Sequence, residues 1–188
     1  MEMILASASP RRRELLEQIG IREYRVAAPN VDERVEGHPA PDALVEELSR
    51  RKADAARAGA DALIIAADTV VALGGTILGK PHSREEAVEM LAALSGKEHT
   101  VYTGVTVRQG ERVVTAHERT SVTFRPLTRR EIERYVDTGE PMDKAGAYGI
   151  QGVGALLVER ISGDYFNVMV LPVCRLGRIL AEFGVEVL

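Results

Sequence analysis

The chain has one cysteine, no tryptophan and only three phenylalanines and five tyrosines in 188 residues. Each shortage excludes something. A single cysteine, Cys174, rules out an intrachain disulfide and fits a reducing compartment. Its apolar, helix-like surroundings predict a buried structural thiol. So few aromatics disfavour a base-stacking platform for single-stranded nucleic acid. The net charge of −4 supplies no bulk attraction to nucleic acid either. No apolar run reaches the length of a membrane span. The N-terminus begins at once with a strand pattern, with no charged leader before an apolar signal core. The expectation is a cytoplasmic protein with no membrane or nucleic-acid partner. Lysine is also scarce, four against twenty arginines, so each lysine stands out.

What is present is ordinary for a globular chain: 45% hydrophobic and 28% charged residues, enough for one domain with a sizeable core. No internal repeat, low-complexity stretch or long linker divides it. Helical spacing appears at 14–19 and 42–58, the latter with Leu44, Val45, Leu48 and Ala55 inward. Further helices are predicted at 84–94 behind Ser83, from Thr128 to Val136 behind a Thr-x-x-Glu capping box, and at 172–183. Strand patterns occupy 24–27, 61–73, 76–78, 100–108, 112–124 and 156–158. Gly74-Gly75 and Gln109-Gly110-Glu111 read as hairpin turns. The result is an α/β chain with long hairpins, hence a mixed sheet.

The segment Ser7-Ala8-Ser9-Pro10-Arg11-Arg12-Arg13 follows the apolar run Met3–Ala6 and opens a helix. Ser9 suits the N-cap and Pro10 the first helical position. Arginines in a first turn oppose the helix dipole unless an anion arrives. Free N–H groups, hydroxyls and guanidinium forks together suit a multiply charged phosphate.

Asp68 lies in Leu63-Ile64-Ile65-Ala66-Ala67-Asp68-Thr69-Val70-Val71, with apolar neighbours on both sides. Aspartate is disfavoured inside strands and costly to bury unpaired. It needs a cation, a metal or a catalytic role. Glu33, in the polar stretch 29–41, would complete a carboxylate pair for a hard divalent ion if it came close. Lys52 on the second helix, Lys80 in Gly79-Lys80-Pro81 and Lys144 are compact point charges suited to phosphate. Residues 143–154 contain four glycines and permit close approach of backbone to a ligand. Neither the Walker A nor the Rossmann glycine spacing is present. Gln151, the one amide in this stretch, can donate to and accept from a base edge. His38, His82, His99 and His117 show no metal-ligand spacing.

Taken in order, these pieces resemble the Maf family of nucleoside triphosphate pyrophosphatases. Ser7-Ala8-Ser9-Pro10-Arg11-Arg12 is similar to its opening motif. Ala67-Asp68-Thr69-Val70-Val71, Gly79-Lys80-Pro81 and Leu94-Ser95-Gly96 with His99 are similar to its central signatures. Residues 143–152, Ile161-Ser162-Gly163-Asp164-Tyr165 and Leu171-Pro172 resemble the subgroup acting on dTTP and UTP. One departure is visible: Val170 stands where a glycine is expected just before Leu171-Pro172.

The resemblance implies one domain over residues 1–188. Its fold would be similar to that of inosine triphosphate pyrophosphatases, a mixed, elongated sheet in two lobes around a central cleft. It implies hydrolysis of dTTP, UTP and modified pyrimidine triphosphates to monophosphate and pyrophosphate, with Mg²⁺ or Mn²⁺, as house-cleaning. By position it makes Asp68 the proton acceptor and, with Glu33, a metal ligand. It puts Arg11, Thr69 and Gln151 at specificity positions. Ser7, Ser9, Arg12, Lys52 and Lys80 fall on positions expected to hold phosphate. A homodimer is possible. The rival expectation is a nucleotide-binding regulator of septum formation with no activity of its own.

Overall fold

Strand β1 (Met3–Leu5) is the short apolar run before Ser7, and it is nearly fully buried. It lies parallel to β2 (Arg25–Val26) and to β3 (Leu63–Leu73). The structure, a computed structural model, describes residues 1–59 and 61–188. The other strands are β4 (Thr76–Leu78), β5 (Glu98–Gln109), β6 (Arg112–Phe124) and β7 (Val158–Ser162). One seven-stranded sheet runs in the order β2-β1-β3-β5-β6-β7, with β4 paired to β3. The β3–β4 and β6–β7 pairs are antiparallel, so the sheet is mixed, as expected from the long hairpins. The chain divides into two compact units, and β3, β5 and β6 each pass from one into the other.

The first unit comprises residues 1–68, 103–118 and 170–188. It holds helices α1 (Pro10–Gln18), α2 (Pro41–Ala55) and α6 (Val173–Glu182). Small side chains let α2 approach the strands closely. Ala53 and Ala56 pack in one buried cluster with Ile4, Ala6, Ile64 and Ala66. Gly104 of β5 lies so near α2 that a Cβ there would sit 2.2 Å from the Val45 carbonyl oxygen. Ser49 and Thr106 share a buried hydroxyl contact at 2.8 Å. Together these dock the helix that carries Lys52.

The second unit comprises residues 69–102 and 119–169. Gly74 and Gly75 adopt φ of +54° and +87°, the two left-handed residues a tight hairpin between β3 and β4 needs. Helix α3 (Arg84–Leu94) starts where the Ser83 hydroxyl accepts the Glu86 N–H at 3.1 Å. Helix α4 (Arg129–Val136) begins with the expected capping box between Thr128 and Glu131. Three 3₁₀ turns, Glu140–Asp143, Ala145–Ala147 and Gly152–Leu157, fill the glycine-rich region, and the short helix α5 is Tyr165–Val168. His99, Phe124 and Tyr148 pack edge to face, with ring centroids 4.7–5.3 Å apart.

Four expectations are corrected. Leu156 and Leu157 belong to a 3₁₀ turn, and β7 starts only at Val158. The glycines before them allow the tight turn, and Arg125 takes both of their carbonyls. Cys174 is exposed, because the buried stripe of α6 runs through Leu176, Ile179 and Leu180 on the other face. Helix α2 ends at Ala55, before Gly59, and Ala55 faces outward. Ser9 takes the N-cap position, but its side chain makes no capping bond. Among the described residues no helix is long and apolar enough to cross a membrane.

Candidate active site

At the start of α1 the local sequence dictates the geometry. Pro10 occupies the first turn, and Ser9 is extended at the N-cap. Ser7, also buried, organises the approach instead. Its Oγ accepts the Ser9 N–H at 3.2 Å and Arg12 Nη1–H at 3.0 Å. The Ser9 Oγ is buried with no hydrogen-bond partner among the described residues. Arg12 is only 7% exposed. Its Nε donates to the Val170 carbonyl at 3.0 Å. Burial lowers its pKa to about 10, with Asp68 opposing that drop, Arg11 adding to it and Glu33 opposing it more weakly. The guanidinium remains charged at neutral pH, within the field of two carboxylates.

Those carboxylates meet at Lys52. Its Nζ donates to Asp68 Oδ1 and lies 3.1 Å from Glu33 Oε1. The Lys52 and Asp68 side chains are 15% and 11% exposed, whereas Glu33 is two-thirds exposed. Asp68 sits within the apolar β3, so its backbone is placed by the strand. Glu33 comes from a loop, and the neighbouring helical residue fixes that loop. Arg51 Nη1 donates to the carbonyls of Asp32 at 3.0 Å and Arg34 at 2.9 Å, bracketing Glu33. Segment 29–34 and Lys52 line an open recess of about 600 Å³.

The first unit therefore brings together Ser7 with Arg12, and Glu33 with Lys52 and Asp68. Arg11 is partly buried in the first turn of α1. Thr69, Lys80 and Gln151 belong to the second unit. Thr69 directly follows Asp68 on β3. Lys80 is exposed after β4, and Gln151 is exposed in the glycine-rich region. The Gly146 N–H donates to the Gly79 carbonyl at 3.0 Å, tying the segments that carry Gln151 and Lys80. Lys144, also weighed as a phosphate ligand, is engaged with the Glu140 carbonyl and Asp143 at 2.6 and 2.7 Å.

Sequence reasoning missed Arg51, Tyr135 and Glu140. Nothing in their spacing marks them, because each acts on backbone brought near by tertiary folding. It also noted Val170 only as a departure. Val170 has φ of +91°, so the site where glycine is expected does require glycine-like backbone. The buried Arg12 guanidinium and the free N–H groups of the α1 N-terminus can bind phosphate, and the Asp68 carboxylate can accept a proton.

Residues 2–183 match the family described as Maf-like protein. A dTTP/UTP pyrophosphatase of Moorella thermoacetica is 55% identical over 99% of this chain and 97% of its own. One of Symbiobacterium thermophilum is 52% identical over 97% of this chain and 94% of its own. Among solved structures, the Ham1 protein of Staphylococcus aureus is similar over 66% of this chain and 72% of its own, at 17% identity and TM-score 0.48.

Proposed function

Because this chain belongs to the Maf-like protein family, we propose that it hydrolyses dTTP, UTP and modified pyrimidine triphosphates to monophosphate and pyrophosphate. The observation that carries this reading is the placement of Asp68. It is buried in an apolar strand, bonded to Lys52, and close enough to Arg12 to perturb it. An acceptor among cations is what attack of water on a polyphosphate needs.

Asp68 orients the water and takes its proton as oxygen attacks the α-phosphorus. The P–O bond to the β-phosphate breaks, and pyrophosphate leaves. Arg12, Lys52 and Lys80 neutralise charge on the triphosphate, and Ser7, Ser9 and the α1 N–H groups hold its oxygens. Lys52 can exchange its carboxylate partners for phosphate, which frees Asp68 for the proton. Arg11, Thr69 and Gln151 select the base. Arg11 only donates, so it favours a carbonyl over the exocyclic amine of cytosine.

The residues present fit a divalent ion. Glu33 and Asp68 already converge on one cation, the Lys52 ammonium. Two carboxylates with substrate phosphates and water are the donor set Mg²⁺ takes. Among the described residues no cluster of three or more His, Cys, Asp or Glu could hold a metal. Substrate would complete the coordination. When bound, such an ion supplies further charge neutralisation at the phosphates.

The test is pyrophosphate release from dTTP, UTP, CTP and dATP, with and without Mg²⁺ or Mn²⁺. Turnover of dTTP and UTP is expected. Asp68→Asn should cut it at least about a hundredfold while the protein still binds nucleotide. No turnover on any nucleotide would favour a binding-only regulator, and near-normal turnover by Asp68→Asn would remove its assigned role.

A further inference from the structure

We propose that Tyr135 and Glu140 are positioning residues for base selection. They hold Gln151 so that a pyrimidine with an N3–H, uracil or thymine, is preferred over cytosine. The inference rests on Gln151 facing the base. A glycine-rich segment is the least able to hold a side chain in place, because its backbone has the most freedom to lose. The restraint must come from outside it, and the structure supplies one.

The Glu140 carboxylate accepts three hydrogen bonds. Oε1 takes the Tyr135 hydroxyl at 2.9 Å and the Gly154 N–H at 3.0 Å, and Oε2 takes the Val153 N–H at 3.0 Å. The Tyr135 hydroxyl accepts the Gly149 N–H at 3.1 Å. Backbone on both sides of Gln151 is thus tied to one hub, while Gln151 itself points to solvent. Bonds to a carboxylate are roughly twice as strong as neutral ones. The hub has its own anchorage. Tyr135 is buried in the last turn of α4, and Lys144 donates to the Glu140 carbonyl.

The glycines are fitted to this contact. A Cβ at Gly152 would lie 2.7 Å from Glu140 Oε2, and one at Gly154 would lie 2.6 Å from the Tyr135 hydroxyl and 2.0 Å from the Gly149 carbonyl oxygen. The loop therefore closes directly onto the two side chains. An amide on a free loop could turn either way and serve cytosine as well as uracil. The terminal amide can still rotate, but with its backbone fixed on both sides it keeps one distance and direction of approach to the base edge, so a shift of the loop cannot accommodate cytosine.

The experiment measures kcat/KM for UTP and CTP in the full-length protein and in Tyr135→Phe, Glu140→Gln, Glu140→Ala and Gln151→Ala. Tyr135→Phe and Glu140→Ala should lower the UTP:CTP ratio by about five- to tenfold, the effect of losing one or more partly buried hydrogen bonds. The change should appear in KM for UTP, with kcat nearly kept. Glu140→Gln keeps one acceptor oxygen and should retain more selectivity than Glu140→Ala. A purely structural role would lower the melting temperature and reduce both substrates alike, and that result would overturn the inference. If Gln151→Ala collapses the ratio while the Tyr135 and folded Glu140 variants keep it, the hub is overturned and the Gln151 reading stands. If Gln151→Ala also keeps the ratio, the Gln151 reading fails and takes the hub with it.

Discussion

Arg12 Nε donates to the Val170 carbonyl oxygen at 3.0 Å, joining residues 158 positions apart. The acceptor is presented by a β-branched residue at φ +91°. Such a conformation costs about 1–3 kcal/mol and persists only where its surroundings demand it. Here the demand is a buried guanidinium that needs a fixed acceptor. Val170→Gly should therefore relieve strain and keep the contact. Glycine's greater freedom in the unfolded chain offsets part of the gain. The net expectation is a stabilisation of about 1 kcal/mol, read as a higher urea midpoint at unchanged slope, with turnover kept. A lower midpoint would mean that the valine side chain, not the backbone, supports Arg12.

Lys52 stands between two carboxylates, and its removal leaves Asp68 buried with weaker compensation from Arg12. Lys52→Met should cost about 2–3 kcal/mol, below the full figure for a buried pair because both side chains retain some exposure. Adding Asp68→Asn should restore most of that loss. A double variant as unstable as Lys52→Met alone would show that the loss does not come from leaving the Asp68 charge unpaired.

Much of this was legible in sequence, but for different reasons at different places. Thr128 and Glu131, Ser83, Gly74-Gly75 and Pro10 act on their own neighbours, so local chemistry suffices to read them. Asp68 was legible because a carboxylate in an apolar strand is costly anywhere. The Lys52–Asp68 contact was not, since it depends on Gly104 admitting the α2 backbone beside β5. Ser9 shows the limit of local reading. It sits at the predicted N-cap, yet Ser7 takes the bonds because Arg12 folds back onto it. Cys174 was misread because composition does not reveal which face of α6 is buried.

Arg51 brackets Glu33 through the carbonyls of Asp32 and Arg34. Its Nε also donates to Glu47 of its own helix at 2.8 Å, so its effect on the charged cluster should pass through Glu33. Arg51→Met should weaken Mn²⁺ binding about tenfold, as loss of an outer-shell support does. The measurement is a Mn²⁺ titration with a non-hydrolysable UTP analogue, following the free-ion EPR signal. The melting temperature should fall only slightly, because the lost Glu47 contact is an i,i+4 pair and the two carbonyl bonds lie at the surface. Unchanged Mn²⁺ affinity would remove Glu33 from the proposed metal ligands.

His99 gives the fold a pH dependence that is separate from catalysis. It is 2% exposed, its Nε2 lies 2.7 Å from the Tyr148 hydroxyl, and its Nδ1 is buried without a partner. Burial lowers its pKa from 6.5 to about 4. The unfolded chain therefore binds the extra proton first as pH falls. Stability is complete above pH 6.5 and declines as pH drops toward 4, by about 3 kcal/mol in total. His99→Gln keeps a polar group within reach of Tyr148 but cannot titrate. Urea midpoints at pH 7.5 and 4.5 should fall further in the parent protein than in the variant, by an amount equivalent to about 2–3 kcal/mol. Carboxylates titrate in both proteins, so only the difference between them reports on His99. Parallel losses would mean that His99 reaches solvent and takes its proton without unfolding the second unit.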